Sequence, residues 1–477
     1  MIMRFLRNAR GIHSPLLSSF FVGLSVLAMM LGDSQPVYTL PLHKVAAIPA
    51  FARKYGLPCS ACHTAWPMLN NFGQVFRDNG YQLGNDRDSP ITRDASYFPA
   101  TIRITPNWHR ESSDHQFVDS VPGDGSTTAS GTITSAGFDL SGMDMWFGGT
   151  LYKNISFIVL PSSDSTASFH FESAFVRFDN LMNTSWLNFK FGRFELDTPV
   201  SEKRFLQLST EGALYYSYHF LPFGDSNVFG GIGDNQMGVE LLGHNANSYR
   251  RYSVAVVASD DGAVNLPAGK TVDFYGNFSQ AFNLGTHGLE RIGAYAYIGQ
   301  SPTYFQTSGG APIAGTGTGN EPFYRAGAYS VFMSNRWIIN AVYMHGYENK
   351  FLANGVASNN PTGLPEGAKS AGWNSGFIDV DYQPSPQLIF TSRYELVRMS
   401  QQGNPTLPGN MGNLDAVTFG YRWYPIMFSR AGLAWFQEFS LNRARGATII
   451  NGSGITPSFD GHDSISSSYA MGFDFDF

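Results

Sequence analysis

From Phe98 onward, apolar and polar positions alternate with a period of two, the signature of strands with two unlike faces. The last stretch is the clearest. Tyr469, Met471, Phe473, Phe475 and Phe477 share one face, and Ala470, Gly472, Asp474 and Asp476 the other. Val417, Phe419, Tyr421 and Trp423 alternate with Thr418, Gly420 and Arg422, and Leu388, Phe390, Tyr394 and Leu396 with Thr391, Arg393 and Glu395. Ile378, Val380 and Tyr382 oppose Asp379 and Asp381. A charged face behind an aromatic one suits a membrane wall whose inner side looks into a wet lumen. The pattern predicts sixteen strands, near 99–109, 137–151, 154–160, 168–179, 185–195, 236–244, 249–259, 270–281, 289–300, 323–334, 336–347, 371–383, 386–399, 412–424, 428–442 and 466–477. Short connections follow the even strands, while most long ones follow odd strands: 110–136, 196–235, 301–322, 348–370 and 443–465. Bacterial barrels carry short periplasmic turns and long outer loops, so both ends of the barrel are expected at the periplasmic rim. Ser209 to Phe220 reads either as a further strand or as part of a constricting loop, and Phe169 to Phe178 does not alternate cleanly.

Ahead of Phe98 the period is helical. Pro49 to Tyr55 predicts a short helix, and Trp66 to Tyr81 a second, with Leu69, Phe72, Phe76 and Tyr81 at helical spacing and Pro67 near its start. Asn85 to Ala95 is polar and turn-rich, a linker. The first ~34 residues read as an export signal: Arg4, Arg7 and Arg10, then the apolar run Leu16 to Leu31, then Gly32-Asp33-Ser34 as a small-residue cleavage site. Val45-Ala46-Ala47 is a second candidate for that site. The expected organisation is a signal over 1–34, a small helical domain with its linker over 35–95, plugging the barrel, and a transmembrane antiparallel β-barrel over 96–477.

Composition strengthens the barrel reading. Charged residues are 14% of the chain, against roughly 25% in ordinary globular domains. Aromatics reach 15%, with 39 Phe and 23 Tyr, and there are 51 Gly. The net charge of −6 argues against a general nucleic-acid binder. The competing class is a large secreted array of β-sandwiches.

Between the two helices lies Cys59-Ser60-Ala61-Cys62-His63, a C-x-x-C-H site for covalent attachment of one haem c. Two thiols one helical turn apart each add to a vinyl group of one porphyrin, and the adjacent histidine reaches the iron as proximal ligand. These are the only two cysteines in 477 residues. A dithiol redox pair has no need of His63 and usually sits in a βαβ setting. A zinc site needs two more ligands, and no second C-x-x-C or H-x3-5-H supplies them. The distal ligand stays open, with His43 and Met68 as candidates and Met143, Met145 and His170 on the barrel beside them. Asp114, His115, Asp119 and Asp124 cluster in the first long loop, where hard oxygen ligands suit iron, or where they are simply solvated. No Ser-His-Asp order, phosphate-cradling glycine loop or H-E-x-x-H is present, so hydrolase chemistry is excluded.

The run Ile48-Pro-Ala-Phe-Ala-Arg-Lys-Tyr-Gly56, Cys59-Ser-Ala-Cys-His63, Trp66-Pro-Met-Leu69, Phe72-Gly73, Phe76-Arg77 and Gly80-Tyr81 resembles the outer-membrane monohaem cytochrome–porin fusions of iron-oxidising bacteria. The resemblance covers residues 48–81; over the barrel it rests on length and architecture. The chain departs from the family pattern after the Phe-Gly pair, where the family has a basic residue and this chain has Gln74. The resemblance implies a Gram-negative outer membrane, one haem c on Cys59, Cys62 and His63, an extracellular electron donor or acceptor with Fe(II) favoured, and a periplasmic c-type cytochrome or similar carrier as partner. If the protein is an enzyme, it is then an iron:cytochrome oxidoreductase. The alternative class is a diffusion porin whose haem domain is a plug or redox accessory. The two part on geometry, because a conduit needs its haem inside the lumen.

Overall fold

The computed structural model describes residues 50–65, 68–83, 99–123, 125, 129–163, 169–198, 235–258, 272–303, 305–306, 312–313, 319–347, 372–399, 413–427, 432–444, 448–451, 454–457 and 462–476. The export signal, His43, the 85–95 linker, Ser209 to Phe220, Asp124 and Phe477 lie outside the described residues. From Ala46 onward the chain forms one compact unit.

Sixteen antiparallel strands close into a barrel. In chain order they are β1 (Ala100–Val118), β2 (Ala129–Tyr152), β3 (Ile155–Ser163), β4 (Phe169–Phe178), β5 (Asn188–Glu195), β6 (Asn235–His244), β7 (Arg250–Ala258) and β8 (Val272–Asn283). Then follow β9 (Leu289–Thr303), β10 (Gly319–Met333), β11 (Trp337–Tyr347), β12 (Gly372–Ser385), β13 (Leu388–Met399), β14 (Leu414–Met427), β15 (Gly432–Ala444) and β16 (Ser464–Asp476). Each strand pairs with the next, and β16 closes on β1 through pairs such as Phe475 with Ile104 and Ser466 with Ser113. Closure removes the free edges an open sheet would expose to lipid. The connections after even strands are tight, for instance at Lys153-Asn154, where Lys153 takes a positive φ of 42°.

The alternation holds as expected. Ile378, Phe419, Phe473 and Phe475 are exposed on the outer face, while Asp379, Asp381, Glu395, Arg422 and Asp474 are each about 1% exposed on the inner one. An apolar exterior on a closed antiparallel barrel is the form of an outer-membrane protein. No helix among the described residues is long and apolar enough to cross a membrane, and the strands do the crossing.

Two expectations are corrected. β1 and β2 run well past the strands predicted near 99–109 and 137–151, so most of the supposed first loop is a two-stranded ribbon. Arg110 to Gln116 shows no alternation because a strand rising clear of the bilayer has no lipid face to satisfy. The second helix does not span Trp66 to Tyr81. A short hairpin, His63–Ala65 with Met68–Leu69, comes first, and the helix runs Asn71–Asp78. The start signal is Asn70, whose side chain accepts from the Gly73 N–H, and a cap of this type outweighs apolar spacing alone.

Candidate functional site

The C-x-x-C-H segment is built from α1 (Ala50–Tyr55), a 3-10 turn at Cys59–Ala61, the hairpin, and α2 (Asn71–Asp78). Phe51, Tyr55, Phe76 and Tyr81 form its small core, with Phe51 stacked on Tyr81 at 5.3 Å and edge-on to Phe76 at the same distance. The cysteine turn is braced from below. Cys62 N–H donates to the Cys59 carbonyl at 3.1 Å, and the Asn70 N–H to the Cys62 carbonyl at 2.9 Å. Asn70 Nδ2 adds bonds to the Ala61 and Ser60 carbonyls at 3.0 and 3.3 Å. One asparagine thus caps α2 and ties down the turn that presents both thiols. Gly73 completes the brace, because a Cβ there would overlap the Cys62 carbonyl oxygen. At the far end Gly80 has φ +75°, and Tyr81 N–H reaches the Phe76 carbonyl at 3.0 Å, a glycine-terminated helix end.

Cys59 and Cys62 form no disulfide and are part-exposed and one turn apart, with His63 directly following. Burial pushes Cys59 up to about 12, with the Asp476 carboxylate adding to it, and pushes Cys62 up to about 11. A dithiol redox pair needs a lowered thiol pKa, so this setting speaks against that chemistry. Two neutral thiols on one rigid turn with an adjacent imidazole do fit the donor set of a thioether-linked haem.

The segment is held from opposite sides of the barrel's short-turn end. On β4, Arg177 donates to the carbonyls of Arg77 and Asp78 at 2.8 and 2.5 Å. On β12, eight strands away in a ring of sixteen, Gln383 Nε2 donates to the Thr64 carbonyl at 3.0 Å. Gln82 Nε2 reaches the Lys153 carbonyl, 3.0 Å away in the β2–β3 turn. The strongest anchor is Asp78, buried at 6% exposure, which accepts two bonds from Arg251 of β7 at 2.6 and 2.9 Å. Burial by itself would raise the Asp78 pKa, but the charge and hydrogen bonds of Arg251 more than offset it and hold the carboxyl well below the usual carboxylate range. Arg251 also binds Asp197 at 3.1 Å, and Asp197 pairs with Arg77 at 3.6 Å. The Asp197 carbonyl accepts from Tyr275 and Asn277, which turns the start of the connection after β5 toward the wall.

Asp379, Asp381, Arg393, Glu395 and Arg422 are on the inner face as expected, and Arg77 and Asp78 bind the wall formed by β4 and β7. Around β12 the wall also meets the segment through carbon. Ala65 and Met68 pack with Ile338, Ile389, Tyr424 and Ala434.

Met68, a distal-ligand candidate, is 2% exposed within that cluster, so its sulfur would have to leave a packed site to reach a metal. Met143 and Met145 lie on β2 and His170 on β4, and none is among the anchoring residues named above. Asp114 accepts from Ser464 Oγ and Ile465 N at 3.0 and 2.6 Å, securing the start of β16, and His115 stacks on His462 at 5.6 Å. Among the described residues no three His, Cys, Asp or Glu side chains are grouped to hold a metal ion. Asn70, Gly73, Arg177 and Arg251 are the structural partners that local patterning missed. Asn70 alone carried a signal, as a cap residue just before a helix.

No protein-family model matches the chain, and no curated protein matches it in sequence. Solved structures similar to it include the anion-selective porin of Comamonas acidovorans, 10% identical over 79% of this chain and 100% of that one, with a TM-score of 0.48. OprB of Pseudomonas putida is 9% identical over 79% and 94%, with a TM-score of 0.45. OmpT of Vibrio cholerae lacking loop L8 is 10% identical over 80% and 100%, also at 0.45.

Proposed function

We propose that this barrel is an outer-membrane electron conduit that carries one haem c on Cys59 and Cys62, with His63 as proximal ligand. The observation that carries the reading is a C-x-x-C-H turn, made from the only two cysteines of the chain, on a segment anchored to β4 and β12 across the lumen. When bound, the haem supplies a one-electron couple at its iron. The chain's own residues do the rest. Asn70 and Gly73 hold the backbone of the turn that carries the thiols, and the Asp78–Arg251–Asp197 network fixes the segment against the wall. The short-turn rim faces the periplasm in this reading, so electrons pass between an extracellular donor, Fe(II) by preference, and a periplasmic carrier.

The alternative is a diffusion porin with the same segment as a plug or accessory, favoured by the charged inner wall that a water-filled lumen calls for. Purified protein should keep its haem through acidified organic extraction and show reduced-haem absorbance on addition of Fe(II). Haem that extracts freely, or that Fe(II) leaves oxidised, would contradict the proposal.

A further inference from the structure

We infer that the lumenal cavity beside the His63 hairpin is a carboxylate-binding site centred on Arg291. The cavity lies between the segment and the inner wall. Its polar lining includes Arg291, Arg251, Asn71 and Asn340, over a floor that includes Met68, Leu69 and Val331. Leu69 is the cross-strand partner of His63, so the cavity borders the element that carries the proximal histidine candidate.

The charge balance points to an anion. Along this wall Arg177 pairs with Asp179, Lys190 with Glu240, and Arg251 with Asp78 and Asp197. Arg291 differs. Its two hydrogen bonds go to neutral acceptors, the Ser279 hydroxyl at 3.0 Å and the Ser248 carbonyl at 2.8 Å, and no ion pair is made with it among the described residues. Those bonds orient the guanidinium and leave further donors unused. A cation set in a protein interior without a counter-charge is costly, and a planar fork of donors matches a carboxylate best. Arg251 lines the same cavity but is already neutralised, so the net positive charge there is that of Arg291. The carbon floor accepts the apolar part of an amphipathic acid.

Two sources supply this chemistry: a propionate group of the attached haem, which rests on the function proposed above, or a free carboxylate in the lumen, which does not. Full-length wild type and Arg291→Gln are compared in two measurements. The first is the midpoint potential of the haem. The second is the unfolding temperature, followed by heat-modifiable migration, as sodium propionate is added. If the haem supplies the carboxylate, Arg291→Gln shifts the potential to more negative values, since a positive charge that disfavours the oxidised state is gone, and added propionate does nothing saturable to wild type. If the carboxylate is free, propionate raises the wild-type unfolding temperature saturably, the rise is lost in Arg291→Gln, and the potentials agree. Equal potentials together with no saturable propionate effect in wild type would overturn the site. Should Arg291→Gln fail to assemble, Arg291→Lys is read instead. It keeps the charge without the fork, so a smaller change in the same direction is expected, and identity with wild type in both measurements counts against the site. A protein without haem fails the proposed function, while the propionate titration still decides this inference.

Discussion

At the scale of single residues, the motif is readable without a structure and its support is not. Cys59, Cys62 and His63 fall within five consecutive residues, so the motif shows in the sequence. Gly73 looks like an ordinary helix glycine until its contact with the Cys62 carbonyl is seen. Gly73→Ala should therefore displace the cysteine turn although alanine is the better helix former by about 1 kcal/mol. The measurable outcome is a lower ratio of haem to protein at unchanged barrel yield; a fully loaded Gly73→Ala protein would show that the turn does not depend on this contact. Replacing both Cys59 and Cys62 by alanine should leave an assembled barrel with no extraction-resistant haem. Gln74 donates to Asp78 at 2.9 Å and so supports the anchor.

At the scale of elements, a period of two finds a strand and its faces but not how far it rises beyond the membrane or what its inner face meets. Asp78 and Arg251 are 173 positions apart, and nothing local in either stretch announces their pairing. Removing one partner of a buried ion pair costs about 3–5 kcal/mol, so Asp78→Asn should loosen α2 by an amount of that order. Amide exchange over residues 71–78 would report it, and unchanged protection would dismiss the anchor. The sign of the pH effect follows from the lowered Asp78 pKa. Its stabilising contribution is complete above the unfolded carboxylate value of about 3.9 and is lost as pH falls below that, toward the folded pKa. Protection of α2 should accordingly be flat from neutral pH to about pH 5 and decline in stronger acid. On the wall, Ile378 is 54% exposed and lies mid-strand on β12, whereas Phe475 lies at the end of β16. Ile378→Lys should cost about 2–4 kcal/mol in bilayer unfolding, and Phe475→Lys, near the rim, only about 0–1 kcal/mol. Equal costs would mean that these strands do not cross the bilayer as described.

At the scale of the molecule, strand number, closure and the separation of short turns from long loops follow from the sequence rhythm, because a closed barrel leaves every strand the same two-faced problem to solve. The place of the C-x-x-C-H segment does not follow from rhythm. It is set by polar anchors scattered over β4, β7 and β12 and by the carbon contacts of Met68. Those anchors make the central claim testable in one experiment. Wild-type protein is reconstituted into liposomes with a known orientation, and a membrane-impermeant reductant is added on the long-loop side alone. The haem should be reduced from that side while planar bilayers show little ionic current. Haem reducible only from the short-turn side, together with large open-channel conductance, would contradict it.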